Sequence, residues 1–187
     1  MRLGLALGLG AAMTLFSVGG AWAQAAAGAA FAEDSEYLRS YAADLVNAGA
    51  ANARGWTGRG VTVAVFDTGI AGWSSEFRGK LLTGYDAVTG RLMLGSYDVG
   101  WHGTFVAGLI AAARNGSGVE GIAYDATLLP IRIIDADGAM SLSDRQLAAG
   151  IRYATGRASA FNKCWNSSTT IAEIIKAELQ AALGAAG

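Results

Sequence analysis

Val61-Thr62-Val63-Ala64-Val65-Phe66 is an unbroken run of apolar and β-branched residues, and it stops at Asp67-Thr68-Gly69. A run of that kind reads as a strand buried on both faces, as in a parallel sheet covered by helices. The turn cluster Gly55-Trp56-Thr57-Gly58-Arg59-Gly60 leads into it. Further upstream, Tyr37, Leu38, Tyr41, Leu45 and Val46 fall at helical spacing, which predicts a helix from Glu36 to about Asn52. Downstream, residues 70–100 read as a polar loop region. His102 to Ala113 follows as a helix rich in small residues, ended by Asn115-Gly116-Ser117-Gly118. Thr127 to Ile134 reads as a second buried strand, Asp144 to Thr155 as a helix and Ala158 to Asn162 as a short strand. Thr170 to Leu183 reads as a last helix with Ile171, Ile174, Ile175, Leu179 and Leu183 on one side. Strands alternating with helices predict an α/β fold, a parallel sheet flanked by helices. The chain stops just after a helix, so the expected sheet is truncated before its later strands.

The composition narrows the function. The 187 residues are 52% apolar and 16% charged, enough for one domain with a core. A formal net charge of −1 with no basic run argues against nucleic acid and against a polybasic membrane patch. One cysteine, Cys164, and one histidine, His102, exclude an intrachain disulfide and a structural zinc site of Cys and His ligands. Any chemistry that needs imidazole must run through His102.

Residues 1–23 carry the marks of a secretory signal peptide. Arg2 gives the positive start, Leu3 to Val18 the apolar stretch, and Ala21-Trp22-Ala23 the small-x-small cleavage pattern. The apolar stretch falls short of the ~20 residues that span a bilayer, and Gly4, Gly8 and Gly10 interrupt it. Export with cleavage before Gln24 is expected, to the cell surface, the periplasm or the medium.

Asp67 closes a buried strand, which in an open α/β sheet puts a carboxylate at the crevice where ligands bind. His102 opens a helix, whose N-terminus disfavours an imidazolium. A carboxylate bonded to one ring nitrogen fixes the tautomer and stabilises the cation during proton transfer. Asp67 and His102 are therefore candidate orienter and general base, awaiting a nucleophile. The bland alternatives are an aspartate capping a turn and a histidine bonded to backbone at a helix start. Asp67-Thr68-Gly69 also matches the aspartic proteases, but those sites need two such loops on an all-β scaffold, and one is present here.

Val63 to Ile70 and His102-Gly103-Thr104-Phe105-Val106-Ala107-Gly108 resemble the Asp and His blocks of the subtilisin-like serine proteases, the subtilases. Asn115 to Ala123 resembles the loop after their His helix, and Thr127 to Ile134 with Asp137-Gly138 their next strand and substrate-side segment. The resemblance runs from about Gly55 to Asn162, in family order. It implies a three-layer subtilisin-like fold in 56–187, the first part of a catalytic domain, preceded by a lead-in with a helix in 24–55. It also implies a serine endopeptidase in which Asp67 orients the imidazole and His102 acts as base and acid on a polypeptide substrate. Gly138, Ala139 and Met140 would pair with the substrate backbone on one side, and Cys164, Trp165 and Asn166 on the other. The lead-in and Phe161-Asn162-x-x-Trp165 look most like autotransporter-type members, whose protease is exported by a C-terminal β-barrel. No cofactor is expected for the chemistry. One slight signal for calcium lies at Asn115, where some subtilases bind it through backbone and Asn oxygens.

The family's nucleophile sits in a Gly-Thr-Ser-x-Ala-x-Pro block. No serine of these 187 residues lies in one, and the sole proline, Pro130, falls in a predicted strand. The oxyanion-hole asparagine is absent too, and Cys164 and Asn166 stand where Ser and Gly are usual. Little or no hydrolysis by the chain alone is the expectation. An uncovered strand edge and helix face would make it marginal in stability. The alternative readings are a non-catalytic exported peptide-binding module and a decayed gene fragment.

Overall fold

The computed structural model describes residues 35–93, 97–140 and 142–163. The predicted leader, Cys164-Trp165-Asn166 and the last predicted helix lie outside them. A five-stranded sheet has the order β3-β2-β4-β1-β5. Its strands are β1 (Thr62–Asp67), β2 (Gly84–Asp86), β3 (Arg91–Met93), β4 (Thr127–Arg132) and β5 (Ala160–Lys163). β4 is central and pairs in parallel with β1 and β2, β1 pairs in parallel with the edge strand β5, and β3 is the antiparallel edge on the other side.

β1 and β4 are buried on both faces, as their apolar runs require. Ala64, Phe66, Leu129 and Ile131 pack against α5 (Asp144–Ala154) through Leu147, Ile151 and Ala154. Val65 and Leu128 point the other way, onto Ala107 and Ala111 of α4 (His102–Ala111). Helix, sheet, helix is the three-layer α/β arrangement the sequence predicts. α4 lays Gly103, Ala107 and Ala111 on the sheet, one turn apart, so its axis can approach closely. Pro130 is tolerated in β4 because its missing N–H falls between the Leu81–Leu128 bridge and the first β2 pair, Tyr85–Ile131.

Four details differ from expectation. The lead-in is three short helices, α1 (Ser35–Arg39), α2 (Tyr41–Leu45) and α3 (Ala48–Asn52). Ser40 breaks the first pair: its hydroxyl donates to the Glu36 carbonyl and accepts from the Glu120 amide. Asn47, at φ 56°, breaks the second. Of the predicted apolar face only Tyr37 is buried, while Leu38, Tyr41, Leu45 and Val46 are exposed. Secondly, the region read as loop holds the β2–β3 hairpin. Asp86 closes it by accepting from the amides of Val88 and Thr89 and from the Thr89 hydroxyl. Thirdly, α4 ends at Ala111, before the glycines; Lys80 donates its ammonium hydrogens to the carbonyls of Ala111 and Tyr124, supplying the cation a helix C-terminus favours. Lastly, the short strand begins at Ala160, two residues later than predicted.

Candidate active site

β1 delivers Asp67 to the carboxyl end of the sheet, where α4 begins with His102. The side chain of Asp67 is 1% exposed and that of His102 is 52% exposed. His102 Nδ1 lies 3.0 Å from Asp67 Oδ1 and 2.9 Å from Oδ2. The carboxylate also accepts from the Thr68 amide at 2.7 Å. Nε2 is the ring nitrogen that this contact does not engage.

Glycine makes the approach possible. A Cβ on Gly103 would lie 2.0 Å from the Gly69 carbonyl oxygen and 3.0 Å from Asp67 Cβ. A Cβ on Gly69, at φ +115°, would lie 2.0 Å from the Tyr97 carbonyl oxygen. These two residues let the helix start, the turn after β1 and the segment before α4 meet backbone to backbone.

Asp98 joins these three elements. Its carboxylate accepts from the Thr68 hydroxyl at 2.6 Å and from the amides of Gly100, Trp101 and Thr104 at 3.0, 2.9 and 2.9 Å. The Thr104 hydroxyl donates to it as well. Thr68 Oγ1 in turn accepts from the Gly103 amide at 2.9 Å, and Thr104 Oγ1 accepts from the Ala71 amide at 2.9 Å. The first amides of α4, which have no partner inside the helix, are thus held by Thr68 and Asp98. Burial alone would raise the Asp98 carboxyl; the hydrogen bonds from Thr104, Thr68 and Gly100 outweigh it and hold the group below the usual carboxylate range. The sequence reading missed Asp98. A signal existed: Trp101 sits at the N-cap of α4 and cannot cap it, so the nearest upstream Asp was the acceptor to look for.

Beside the pair, Arg132 stands in register with Asp67 at the end of β4 and donates to Asp86 at 2.6 Å, both side chains being almost buried. Burial pushes Asp86 up, and the bonds from Arg132 and Thr89 bring it below its ordinary value.

Gly138, Ala139 and Met140 are exposed on the turn after β4. The turn is closed on Asp135: its amide donates to the Ala139 carbonyl at 2.9 Å, and its carboxylate accepts from the Asp137 and Ala139 amides. Ala139 therefore has both backbone groups engaged inside the turn, where an extended wall was expected. Asn115 lies in a loop that a buried glutamate from α1 has latched: Glu36 accepts from the amides of Asn115 and Gly116 at 3.1 and 2.7 Å. The Asn115 side-chain oxygen accepts from Ser117, and its NH2 donates to Glu76 at 3.3 Å. Among the described residues no group of three or more His, Cys, Asp or Glu could hold a metal ion.

An extracellular serine protease of Serratia marcescens is 37% identical over 111 residues, 54% of this chain and 10% of that protein. Subtilisin BL of Lederbergia lenta is 42% identical over 109 residues, 58% of this chain and 38% of that protein. The crystal structure of fervidolysin from Fervidobacterium pennivorans, a keratinolytic enzyme related to subtilisin, superposes with a TM-score of 0.58 at 31% identity. That match covers 67% of this chain and 20% of fervidolysin. The chain thus spans well under half the length of these relatives. The model of the subtilase family of peptidases matches residues 58–185, which include β1, α4 and every residue of the Asp67–His102 site, and the chain belongs to that family.

Proposed function

We propose that this chain supplies the orienting carboxylate and the general base of a serine endopeptidase. The observation that carries it is the contact of buried Asp67 with Nδ1 of half-exposed His102. Asp67 accepts a hydrogen bond from Nδ1–H, the tautomer in which Nε2 of the neutral ring carries the lone pair. From there His102 takes the proton of a serine hydroxyl as it attacks the peptide carbonyl, and Asp67 stabilises the imidazolium that forms. His102 returns that proton to the leaving amine, giving an acyl-enzyme that water hydrolyses by the same relay. All the groups involved are side chains, and no cofactor enters.

The attacking serine and the oxyanion-hole asparagine come from sequence other than these 187 residues, so this chain alone hydrolyses peptides negligibly. The leader pattern in residues 1–23 and the extracellular Serratia relative favour export. The autotransporter-like lead-in favours a C-terminal barrel as the exporter. On the substrate side, the family resemblance assigns Gly138 to Met140, exposed after β4, to pairing with extended backbone; Cys164 to Asn166, assigned to the other side, lie outside the described residues.

Labelling of the full chain with a fluorophosphonate probe tests this. No serine should react. Labelling at a serine, abolished by His102→Ala, would show a nucleophile within the chain and overturn the assignment. Reading the DNA beyond the Gly187 codon separates the readings: a Gly-Thr-Ser-x-Ala-x-Pro stretch in some frame would mark a broken or misannotated protease, and its absence would favour the non-catalytic exported peptide-binding module.

A further inference from the structure

Thr68 touches both halves of the Asp67–His102 pair. Its backbone amide donates to Asp67 Oδ1 at 2.7 Å. Its hydroxyl oxygen accepts, at 2.9 Å, from the amide of Gly103, the residue after His102. Asp67–His102 and Thr68–Gly103 are thus consecutive rungs between the turn after β1 and the start of α4, each joining residues 35 apart. The second rung has a direction. A threonine hydroxyl has one hydrogen to give, and Thr68 gives it to Asp98 Oδ1 at 2.6 Å. An ionised carboxylate only accepts, so a Thr68 lone pair is left for the Gly103 amide. Asp98 stays ionised at neutral pH: burial, which raises its carboxyl, is outweighed by the hydrogen bonds from Thr104, Thr68 and Gly100. Capping alone does not require this arrangement. Asp98 already takes the amides of Gly100, Trp101 and Thr104, whereas the Gly103 amide goes to the turn that holds Asp67. Thr68 itself is set firmly in place. Its carbonyl accepts from the Val99 amide at 3.2 Å, and a Cβ on Gly100 would lie 3.0 Å from its methyl carbon.

We propose that Asp98, acting through the Thr68 hydroxyl, is a positioning residue for the Asp67–His102 pair. It sets which way that hydroxyl donates, and so ties the residue whose amide holds Asp67 to the helix start that carries His102. A carboxylate and an imidazole on separate elements keep their hydrogen bond only as well as the two backbones keep register. The proposal rests on the proteolytic reading of the pair and adds to it the group that keeps ring and carboxylate aligned while the proton moves.

The test uses the full 187-residue chain and follows the His102 Nδ1–H by NMR, as its rate of exchange with solvent well below the melting temperature. Thr68→Val keeps the shape of the side chain and removes the hydroxyl, whereas Thr68→Ser keeps the hydroxyl. Thr68→Val should speed the exchange roughly ten-fold, the worth of one hydrogen bond to a charged group. Thr68→Ser should stay close to wild type. Asp98→Ala, which takes the acceptor from Thr68, should speed exchange at least as much as Thr68→Val. Ser143→Ala is the control: it removes the cap of α5, lowers stability as a lost cap does, and should leave the ring signal as in wild type. Exchange in Thr68→Val no faster than in Ser143→Ala would reduce Asp98 to a helix cap and overturn the proposal, with the proteolytic reading intact. Equal acceleration in Thr68→Ser would trace the effect to the methyl group and overturn it as well. Should Asp98→Ala fail to fold, the two Thr68 variants decide. Asp67→Asn separates the two readings. It should abolish the protected Nδ1–H, and an unchanged signal there would overturn the proteolytic reading and the positioning role together.

Discussion

The Cα of Gly103 faces the carbonyl oxygen of Gly69 so closely that a Cβ built on it would lie 2.0 Å away. That contact decides how near α4 comes to the end of β1, and therefore whether His102 reaches Asp67. Gly103→Ala must push the helix start off the turn. A cost of about 1–3 kcal/mol is expected, typical of forced overpacking, together with loss of the His102–Asp67 hydrogen bond in NMR spectra. Gly108, on the same helix, has open space at its Cβ position. Gly108→Ala should instead stabilise the chain, by about 0.5–1 kcal/mol in thermal unfolding.

Asp98 caps α4 from four residues upstream of His102. Asp98→Ala should cost about 1–2 kcal/mol, the upper part of the range for a lost cap, because Thr68 and Thr104 lose their acceptor along with the helix amides. The folded-state carboxyl is held below its ordinary value, so the stability it adds is complete above the unfolded aspartate's value of about 3.9 and is lost as pH falls through the lower folded value. Asp98→Asn should therefore be less stable than wild type near neutrality and should approach it in acid melts.

The Arg132–Asp86 pair is almost buried, so removing one partner strands the other. Arg132→Met should cost about 3–5 kcal/mol, measured by denaturant unfolding. Replacing both, as Arg132→Met/Asp86→Leu, should recover little of that loss, because Asp86 also accepts from the Val88 and Thr89 amides and the Thr89 hydroxyl that close the hairpin.

Glu76 behaves in the opposite sense. Burial, with the nearby Glu36 carboxylate, raises it, so its contribution favours the folded state in acid and fades as pH rises through the folded value. Glu76→Gln, which can still bond Asn115, should raise the melting temperature at neutral pH and leave it unchanged well below pH 4.

What could be read from the sequence follows from where each signal lives. β1, β4 and α5 were legible because each carries a full local pattern: unbroken apolar runs around Val65 and Leu129, and a Ser143-x-x-Gln146 capping box ahead of Leu147 and Ile151. Asp67 and His102 were found because each ends or begins such an element. The β2–β3 hairpin was not, since strands of three residues have too few positions for alternation, and the hairpin is fixed by Asp86 and by pairing with β4. The lead-in was misjudged because Tyr37, Leu38, Tyr41 and Leu45 have helical spacing, whereas the contacts that shape it, Glu36 to Asn115 and Ser40 to Glu120, reach about eighty residues along the chain. Asp98 left a local signal in its bonds to the start of α4, while its bond to Thr68 reaches thirty residues back along the chain.

In the proposed mechanism Asp67 holds His102 as a base with Nε2 ready for a hydroxyl. Long-range proton–nitrogen NMR of the His102 ring, in the neutral imidazole form, tests it most directly. A proton on Nδ1, hydrogen-bonded to Asp67, an unprotonated Nε2, and a shift of the tautomer balance in Asp67→Asn are expected. A neutral ring protonated on Nε2, indifferent to Asp67→Asn, would contradict it.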